Sequence, residues 1–151
     1  MNVATGLTAA SASDPAVALP SGFSDVDQLD DFLSRPSAAL VADMARVDGD
    51  IIILGVAGKI GVTLARMAKR AAPDKRVIGV SRFSEPGVEE RLQAAGVETI
   101  RCDLLDRDAV NALPKLPNVI YMAGLKFDAG GREDFLWAMN TLAPAICAAA
   151  F

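Results

Sequence analysis

The chain has 151 residues, of which 52% are hydrophobic and 23% are charged. This composition is typical of one globular domain with a substantial core rather than of a disordered chain. The net charge of −4 argues against nucleic acid as the main partner, because phosphate backbones attract basic surfaces. The absence of histidine excludes histidine-ligated metal and histidine-based catalytic triads.

The sequence shows no signal for export or for membrane insertion. It begins without a basic region followed by an apolar core, and no apolar run approaches the roughly 20 residues that span a bilayer. Cys102 and Cys147 lie far apart, and we interpret both as buried apolar side chains rather than as a disulfide or a metal site. We therefore expect a cytoplasmic protein without membrane, nucleic-acid or metal partners.

The N-terminal part of the chain divides in two. Residues 1–22 are rich in Ala, Ser, Thr and Pro and contain neither Lys nor Arg, which predicts a flexible leader. Residues 23–49 predict a helical extension of two short amphipathic helices, which open at Ser24 and Ser37. Neither helix can bury its apolar stripe alone, so we expect both to pack on the domain that follows. The acidic side chains of the first helix are interpreted as a solvated face: Asp27, Asp30 and Asp31.

From residue 50 onward, strands alternate with helices. The predicted strands are short runs rich in β-branched residues, at 51–54, 77–80, 97–102 and 119–123. The predicted helices follow them, at 60–68, 89–95, 106–113 and 132–151. This alternation predicts an α/β domain at 50–151, with a Rossmann-like, doubly wound parallel sheet. Pro144 predicts a kink in the last helix. Because the chain stops inside an apolar helix, we expect a domain truncated after the fourth strand and its helix.

Three glycines, Gly55, Gly58 and Gly61, stand between the first predicted strand and its helix. In this position the first permits a tight turn, the second lets a phosphate approach the backbone, and the third lets the helix pack close to the sheet. The N-terminus of the helix adds unpaired N–H groups and a partial positive charge. The segment therefore predicts a site for a dinucleotide pyrophosphate, which also includes Ala57, Lys59 and Ile60. A plain strand-to-helix turn without a ligand is the alternative.

The GxxGxxG spacing of these glycines resembles that of the extended short-chain dehydrogenase/reductases, the NAD-dependent epimerase/dehydratase group. A second resemblance lies after the third strand, where residues 102–106 read Cys-Asp-Leu-Leu-Asp and are similar to the family's D-L-x-D. This resemblance implies that Asp103 meets the adenine ring, and it adds Leu104 to the cofactor site. Taken together, the resemblance covers about residues 50–151.

Two further matches follow in the family's order. Residues 121–124 read Tyr-Met-Ala-Gly and resemble the end of the family's fourth strand, which implies that Ala123 and Gly124 lie along the cofactor. Asn140 fits the asparagine of the following helix that helps to order the active site in this family. One feature departs from the family: the Tyr-x-x-x-Lys pair for proton transfer is absent, because the only tyrosine is Tyr121 and the spacing to Lys126 is wrong.

The end of the second strand bears on the choice between NAD and NADP. A carboxylate at this position would accept hydrogen bonds from both ribose hydroxyls and would repel a 2′-phosphate. This chain has Ser81 and Arg82 there, and an arginine can bind a phosphate through paired, charge-assisted N–H bonds. We therefore expect NADP to be favoured over NAD. The alternative is that Arg82 is only a solvated surface residue.

These observations favour the NAD(P)-binding domain of an epimerase-, dehydratase- or reductase-type oxidoreductase. It would act by hydride transfer on a small-molecule substrate, with sugar nucleotides as a candidate class and a homo-oligomer as a candidate assembly. A non-catalytic NAD(P)-sensing or scaffold module is the alternative, because the Tyr-Lys pair is missing. An S-adenosylmethionine-dependent methyltransferase would share the strand-glycine-helix start. Such an enzyme is expected to have an acidic residue after the second strand, and Ser81 and Arg82 therefore count against it.

Overall fold

A four-stranded parallel sheet forms the centre of the computed structural model, which describes residues 19–125 and 131–151. The first 18 residues of the predicted leader lie outside these ranges. The strands are β1 (Ile51–Leu54), β2 (Val77–Ser81), β3 (Glu98–Arg101) and β4 (Asn118–Tyr121). Their spatial order is β3-β2-β1-β4, and all three pairings are parallel. The predicted strands and the predicted parallel sheet are confirmed.

The sheet separates two hydrophobic cores. β1 has β2 on one edge and β4 on the other, and all four of its side chains are buried. Successive side chains of a strand point to opposite faces. Accordingly, Ile52 and Leu54 belong to one core cluster, whereas Ile51 and Ile53 belong to the other. A β-branched run without polar alternation is the pattern of a strand that is covered on both faces.

Helices cover both faces of the sheet, as a doubly wound fold requires. α3 (Gly61–Ala71) and α4 (Val88–Ala94) contribute side chains to one core. α5 (Arg107–Asn111) and α7 (Ala143–Ala150) contribute to the other, and α6 (Glu133–Trp137) precedes α7. The helices predicted at 60–68, 89–95 and 106–113 form close to those bounds, and the Rossmann-like architecture is confirmed.

The segment after β4 is not one continuous α-helix. A π-helical turn, Ala138–Leu142, separates α6 from α7, and the N–H of Ala143 donates to the carbonyl of Ala138, five residues earlier. Pro144 supplies the physical reason, since it has no N–H to donate and its ring excludes the carbonyl of Asn140 from the usual helical position. The kink expected at Pro144 therefore takes the form of a π-helical turn, and this turn carries Asn140.

Two short helices precede the sheet, α1 (Val26–Leu33) and α2 (Ala38–Met44). The side chain of Asp25 caps α1 by accepting the N–H of Gln28, and Ser37 caps α2. The second helix thus opens at the predicted serine, whereas the first opens one residue after Ser24. None of the helices in the described segments has the length and apolar character that a membrane span requires.

α1 docks on α3 through polar contacts. The guanidinium of Arg70 donates to the carbonyl of Asp31 and to the hydroxyl of Ser34, both at 2.9 Å, and pairs with the Asp31 carboxylate at 2.5 Å. The carboxylate of Asp30 lies 4.0 Å from the guanidinium of Arg66, which is also on α3. The expectation of a solvated acidic face is therefore wrong for Asp30, whose side chain is only 17% exposed. Asp31 remains 39% exposed and also pairs with Arg70 of α3.

Candidate functional site

A cleft opens at the carboxyl edge of the sheet. The chain leaves β1 toward β2 and β3 and later returns on the other side of β1 as β4, and ligands of open α/β sheets bind where the strand order reverses in this way. The cleft has a volume of about 260 Å³. The predicted site residues that line it are Gly55, Ala57, Gly58, Ser81, Arg82, Asp103, Leu104, Ala123 and Gly124. Four others do not line it: Lys59, Ile60, Gly61 and Asn140.

Gly55 makes the turn at the end of β1 with a backbone conformation that side chains rarely permit. Its φ is +89°, which lies in the region that favours glycine. A Cβ atom at this position would lie 2.5 Å from the backbone nitrogen of Ala123. The missing side chain therefore lets the turn after β1 lie directly against the segment after β4, and the two together form one wall of the cleft.

Gly61 is the first residue of α3, and its role is close packing. A Cβ atom there would overlap the carbonyl group of Val56 and lie 2.9 Å from its Cα. The first turn of α3 thus packs against the turn after β1. Gly79 of β2 makes room for the same residue, because a Cβ atom at Gly79 would lie 2.8 Å from Cγ1 of Val56. Sequence reasoning missed Gly79, since a glycine inside a strand belongs to no motif.

Gly58 differs from the other two glycines because nothing in the described protein requires it. A Cβ atom at Gly58 would meet only the carbonyl oxygen of Gly55, at an ordinary contact distance of 3.7 Å. The residue is exposed and lines the cleft. The space beside its Cα is therefore open to a group that does not belong to the chain.

The loop between β1 and α3 presents backbone donors beside this open space. The N–H of Gly61 donates to the carbonyl of Gly58 at 3.0 Å. By contrast, the N–H groups of Ala57, Lys59 and Ile60 have no acceptor among residues 19–125 and 131–151, and Ile60 caps α3 without a side-chain hydrogen bond. An anion would satisfy such donors and would also interact favourably with the dipole of α3.

The loop after β2 turns sharply at Phe83. This residue has a φ of +49° and is only 5% exposed, so its ring lies in the core beneath the loop. The residues around it face the cleft: Ser81 and Arg82 before it, Ser84 and Glu85 after it. Sequence reasoning missed Glu85, because it considered only the two residues that directly follow the strand.

Arg82 extends from β2 to the helix that follows β4. Its Cζ atom lies 5.5 Å from the centre of the Phe135 ring on α6, within the range of a cation–π contact. No carboxylate of the described residues lies within ion-pair distance of its guanidinium. The side chain is therefore held by an aromatic ring at the cleft, which leaves its N–H groups for a ligand.

The segment after β3 forms the opposite wall from local hydrogen bonds. Oδ1 of Asp103 accepts the N–H of Leu105 at 3.0 Å, which fixes the turn. Leu104 is buried and offers an apolar surface to the cleft. Asp106 caps α5 by accepting the N–H groups of Asp108 and Ala109, so the second carboxylate of the Asp-Leu-Leu-Asp segment has a structural role.

Asn140 acts on the segment after β4 rather than on the cleft itself. Its Oδ1 accepts the N–H of Leu125 at 2.9 Å, and its Nδ2 donates to the carbonyl of Leu125 at 2.8 Å. A Cβ atom at Gly124 would lie 3.3 Å from the same Oδ1. The π-helical turn thus places one amide side chain where it holds the backbone beside Ala123 and Gly124.

The described cleft offers no tyrosine for proton transfer. Tyr121 lies inside β4, is absent from the lining, and its hydroxyl donates to the carbonyl of Met139 at 3.5 Å. Burial raises the pKa of Tyr121 above its usual value, and it also raises the pKa of the Cys102 thiol, which lines the cleft. Both groups therefore stay protonated at neutral pH.

Comparison with known proteins gives three findings. A model of the NAD dependent epimerase/dehydratase family matches residues 51–138. The phenolphthiocerol synthesis polyketide synthase type I Pks15/1 of Mycobacterium marinum is 32% identical to this chain, over 64% of the chain and 5% of the synthase. The fold is shared with solved structures, of which two are compared next.

The first is a UDP-glucose-4-epimerase from Stenotrophomonas maltophila with bound NAD and formylated UDP-arabinopyranose, which has a TM-score of 0.55 at 19% identity. It matches 68% of this chain. The second is an NADH-dependent reductase complexed with NAD, which has a TM-score of 0.54 at 16% identity and matches 71% of this chain. At these identities the likeness concerns the fold. The chain spans 33% of the epimerase and 52% of the reductase.

Proposed function

Since the chain belongs to the NAD dependent epimerase/dehydratase family, we propose that its cleft binds a nicotinamide dinucleotide, with the pyrophosphate on the loop between β1 and α3. One observation carries the proposal. Gly58 borders open space, beside the N–H groups of Ala57, Lys59 and Ile60, for which the described part of the chain provides no acceptor. Backbone donors at the start of a helix form the usual cradle for a dinucleotide pyrophosphate.

The remainder of the cofactor would extend to both sides of this loop. The strand order puts the ends of β2 and β3 on one side of β1, so we assign the adenosine half to the walls formed by Asp103 and Leu104. The nicotinamide half would lie toward β4, where Ala123 and Gly124 line the cleft. Asn140 would act indirectly, because it holds the neighbouring backbone at Leu125.

The proposed cofactor is NADP in preference to NAD. Arg82 would bind the 2′-phosphate through charge-assisted hydrogen bonds, and Ser81 would add one more. Two facts weigh against this preference. Glu85 lines the same cleft and would repel a phosphate, and the two solved relatives were determined with NAD. The preference therefore rests on Arg82, whose substitution tests it directly.

The proposed activity is that of an epimerase-, dehydratase- or reductase-type oxidoreductase. The bound dinucleotide would exchange a hydride with the substrate, and the protein would orient the two. Sugar nucleotides are the candidate substrate class, because the epimerase relative was solved with a formylated UDP-arabinopyranose. The reaction also needs an acid or base within about 3 Å of the reacting oxygen. Tyr121 does not line the cleft, so the described residues supply no such tyrosine.

A non-catalytic NAD(P)-sensing or scaffold module is the second candidate function. The observation that favours it is the same cleft, which has backbone and side-chain groups for binding but no Tyr-x-x-x-Lys pair. Both candidates require dinucleotide binding, and they differ in proton transfer. An assay of hydride transfer with NADPH and carbonyl or sugar-nucleotide substrates separates them, because only the oxidoreductase shows turnover.

The substitution Gly58→Val tests the shared proposal of dinucleotide binding. A Cβ atom at position 58 would make only an ordinary contact, 3.7 Å from the carbonyl oxygen of Gly55, so we expect the fold to tolerate the valine while its side chain occupies the open space. We expect the variant to remain folded by circular dichroism and to lose NADPH and NADH binding in calorimetric titration. Gly22→Val is the matched control, since a Cβ atom added at Gly22 would meet no atom within 4 Å and the residue lies outside the cleft. Equal affinities for wild type and Gly58→Val would contradict the proposal.

A further inference from the structure

The ring of Phe135 carries two arginines. The Cζ atom of Arg82 lies 5.5 Å from the ring centre, and the Cζ atom of Arg132 lies 5.0 Å from the same point. Phe135 is half-buried and packs against the core cluster beneath the cleft. The ring is therefore within cation–π distance of two arginines from distant parts of the sequence, Arg82 after β2 and Arg132 before α6.

The described residues do little to neutralise these two charges. Among residues 19–125 and 131–151, no carboxylate lies within ion-pair distance of Arg82. The guanidinium of Arg132 lies 3.9 Å from the carboxylate of Asp134, and both side chains are mostly exposed, at 65% and 79%. A separation of 3.9 Å is too long for a hydrogen bond, and an exposed pair of this kind contributes little. Two positive charges near one ring, with little opposing charge among the described residues, therefore favour the binding of an anion.

The shape of the two groups indicates which anion fits. A guanidinium is planar, keeps its charge at any ordinary pH, and presents a rigid fork of donors that matches phosphate oxygens. Stacking on an aromatic ring orients that fork and so reduces the freedom lost on binding. Arg82 also lines the cleft beside Ser81, at the strand end where the ribose of a dinucleotide would lie.

We propose that Arg132, which approaches the ring of Phe135 as Arg82 does, is a second ligand of the 2′-phosphate of NADP, reached from just outside the residues that line the cleft. This inference rests on the proposed function and extends it, because the residues after β2 identify only Arg82. Arg132 and Arg82 together form a two-arginine clamp, and Phe135 is the positioning residue that orients both. The clamp confers specificity, since NAD has a hydroxyl group where NADP has the 2′-phosphate.

The experiment compares the affinities of NADPH and NADH for wild type, Arg132→Ala, Arg132→Lys and Phe135→Leu by calorimetry. Arg132→Ala should weaken NADPH binding roughly 10-fold and leave NADH binding unchanged, because one charge-assisted contact is lost. Arg132→Lys should bind NADPH with an affinity between those of wild type and Arg132→Ala, since lysine keeps the positive charge but lacks the planar fork of donors. Phe135→Leu should keep the apolar packing and weaken NADPH selectively. Arg46→Ala is the control for net charge, since Arg46 is exposed near the end of α2.

The outcomes separate the inference from the proposed function. A selective loss of NADPH affinity in Arg132→Ala supports the clamp, provided that Arg46→Ala binds as wild type does. Unchanged NADPH affinity in Arg132→Ala overturns the clamp and leaves the dinucleotide site intact. An equal loss of NADPH and NADH affinity also overturns it, because the residue then acts on the fold or on the whole dinucleotide. If wild type binds neither dinucleotide, the proposed function itself is wrong.

Discussion

Arg82 follows β2, with its guanidinium within cation–π distance of Phe135. Arg82 lines the cleft, and Glu85 in the same lining adds an opposing charge. These two side chains act in opposite directions on a 2′-phosphate. The choice between NADP and NAD therefore depends on the balance between these two charges.

Arg82→Ala should weaken NADPH binding by about 10- to 100-fold and leave NADH binding nearly unchanged. The reason is that hydrogen bonds to charged groups contribute about 1.5–3 kcal/mol, and only NADP offers the charged group. Isothermal titration of both dinucleotides measures the ratio of affinities. A wild-type protein that binds NADH more tightly than NADPH would refute the assignment of NADP.

The sequence predicts some residues of the site better than others, and the reason is physical. Gly55 and Gly61 follow from a strand-to-helix pattern, because both are required by backbone geometry that is local in the chain. Phe135 could not be predicted as a partner of Arg82, because their contact depends on how α6 lies relative to β2. Glu85 could not be predicted as a residue of the cleft, because its position depends on the left-handed backbone conformation of Phe83.

At the scale of elements, α1 is held to α3 by hydrogen bonds and ion pairs. Asp31 is central to this docking, because it accepts from Arg35 of its own helix and from Arg70 of α3. The hydrogen bond from Arg35, followed by that from Arg70, lowers the pKa of Asp31 from 3.8 to about 2. By contrast, the apolar residues Val26 and Leu33 of α1 remain exposed, at 65% and 48%.

The docking of α1 should therefore weaken at acid pH. A carboxyl group with a lowered folded-state pKa stabilises the folded form above its ordinary pKa, and this contribution is lost as the pH falls through the lowered value. Protection of the α1 amides from hydrogen exchange should decrease between about pH 4 and pH 2 in wild type. Asp31→Asn should show lower protection already at about pH 6 and a weaker dependence on pH.

Asp43→Asn is the matched control for this prediction. Asp43 forms an exposed ion pair with Arg46 beside α2, so its loss removes an equal charge without touching the contact between α1 and α3. Its α1 protection should follow that of wild type across the same pH range. If Asp31→Asn and Asp43→Asn behave alike, the contact with Arg70 does not hold α1 in place.

The existence of the elements was predictable, whereas two of their features were not. Short β-branched runs predicted the strands, because a strand buried on both faces needs apolar side chains at every position. Pro144 predicted an irregular helix, but the π-helical turn that places Asn140 depends on which carbonyl each N–H selects. The polar docking of α1 was not predictable from the sequence. Arg66 and Arg70 lie toward the C-terminal end of α3, where cations interact favourably with the helix dipole, so their positions alone do not indicate a contact with α1.

At the scale of the whole molecule, the strand order places all parts of the candidate site at one edge of the sheet. β1 lies between β2 and β4, so the glycine loop, Arg82 and the segment after β4 converge there. The chain spans 33% of the solved epimerase and 52% of the solved reductase. The described cleft has N–H donors for a pyrophosphate but no tyrosine for proton transfer, so dinucleotide binding is the proposed function that the described residues support best.

Amide NMR spectra of the 151-residue chain, recorded with and without NADPH, provide the decisive test of dinucleotide binding. The N–H groups without an acceptor among the described residues should respond most strongly, so we expect the largest shifts at Ala57, Lys59 and Ile60, with further shifts at Gly58 and Gly124. Amides of α1 should remain unshifted. An unchanged spectrum at saturating NADPH and NADH, or shifts confined to residues outside the cleft, would contradict binding at the loop between β1 and α3.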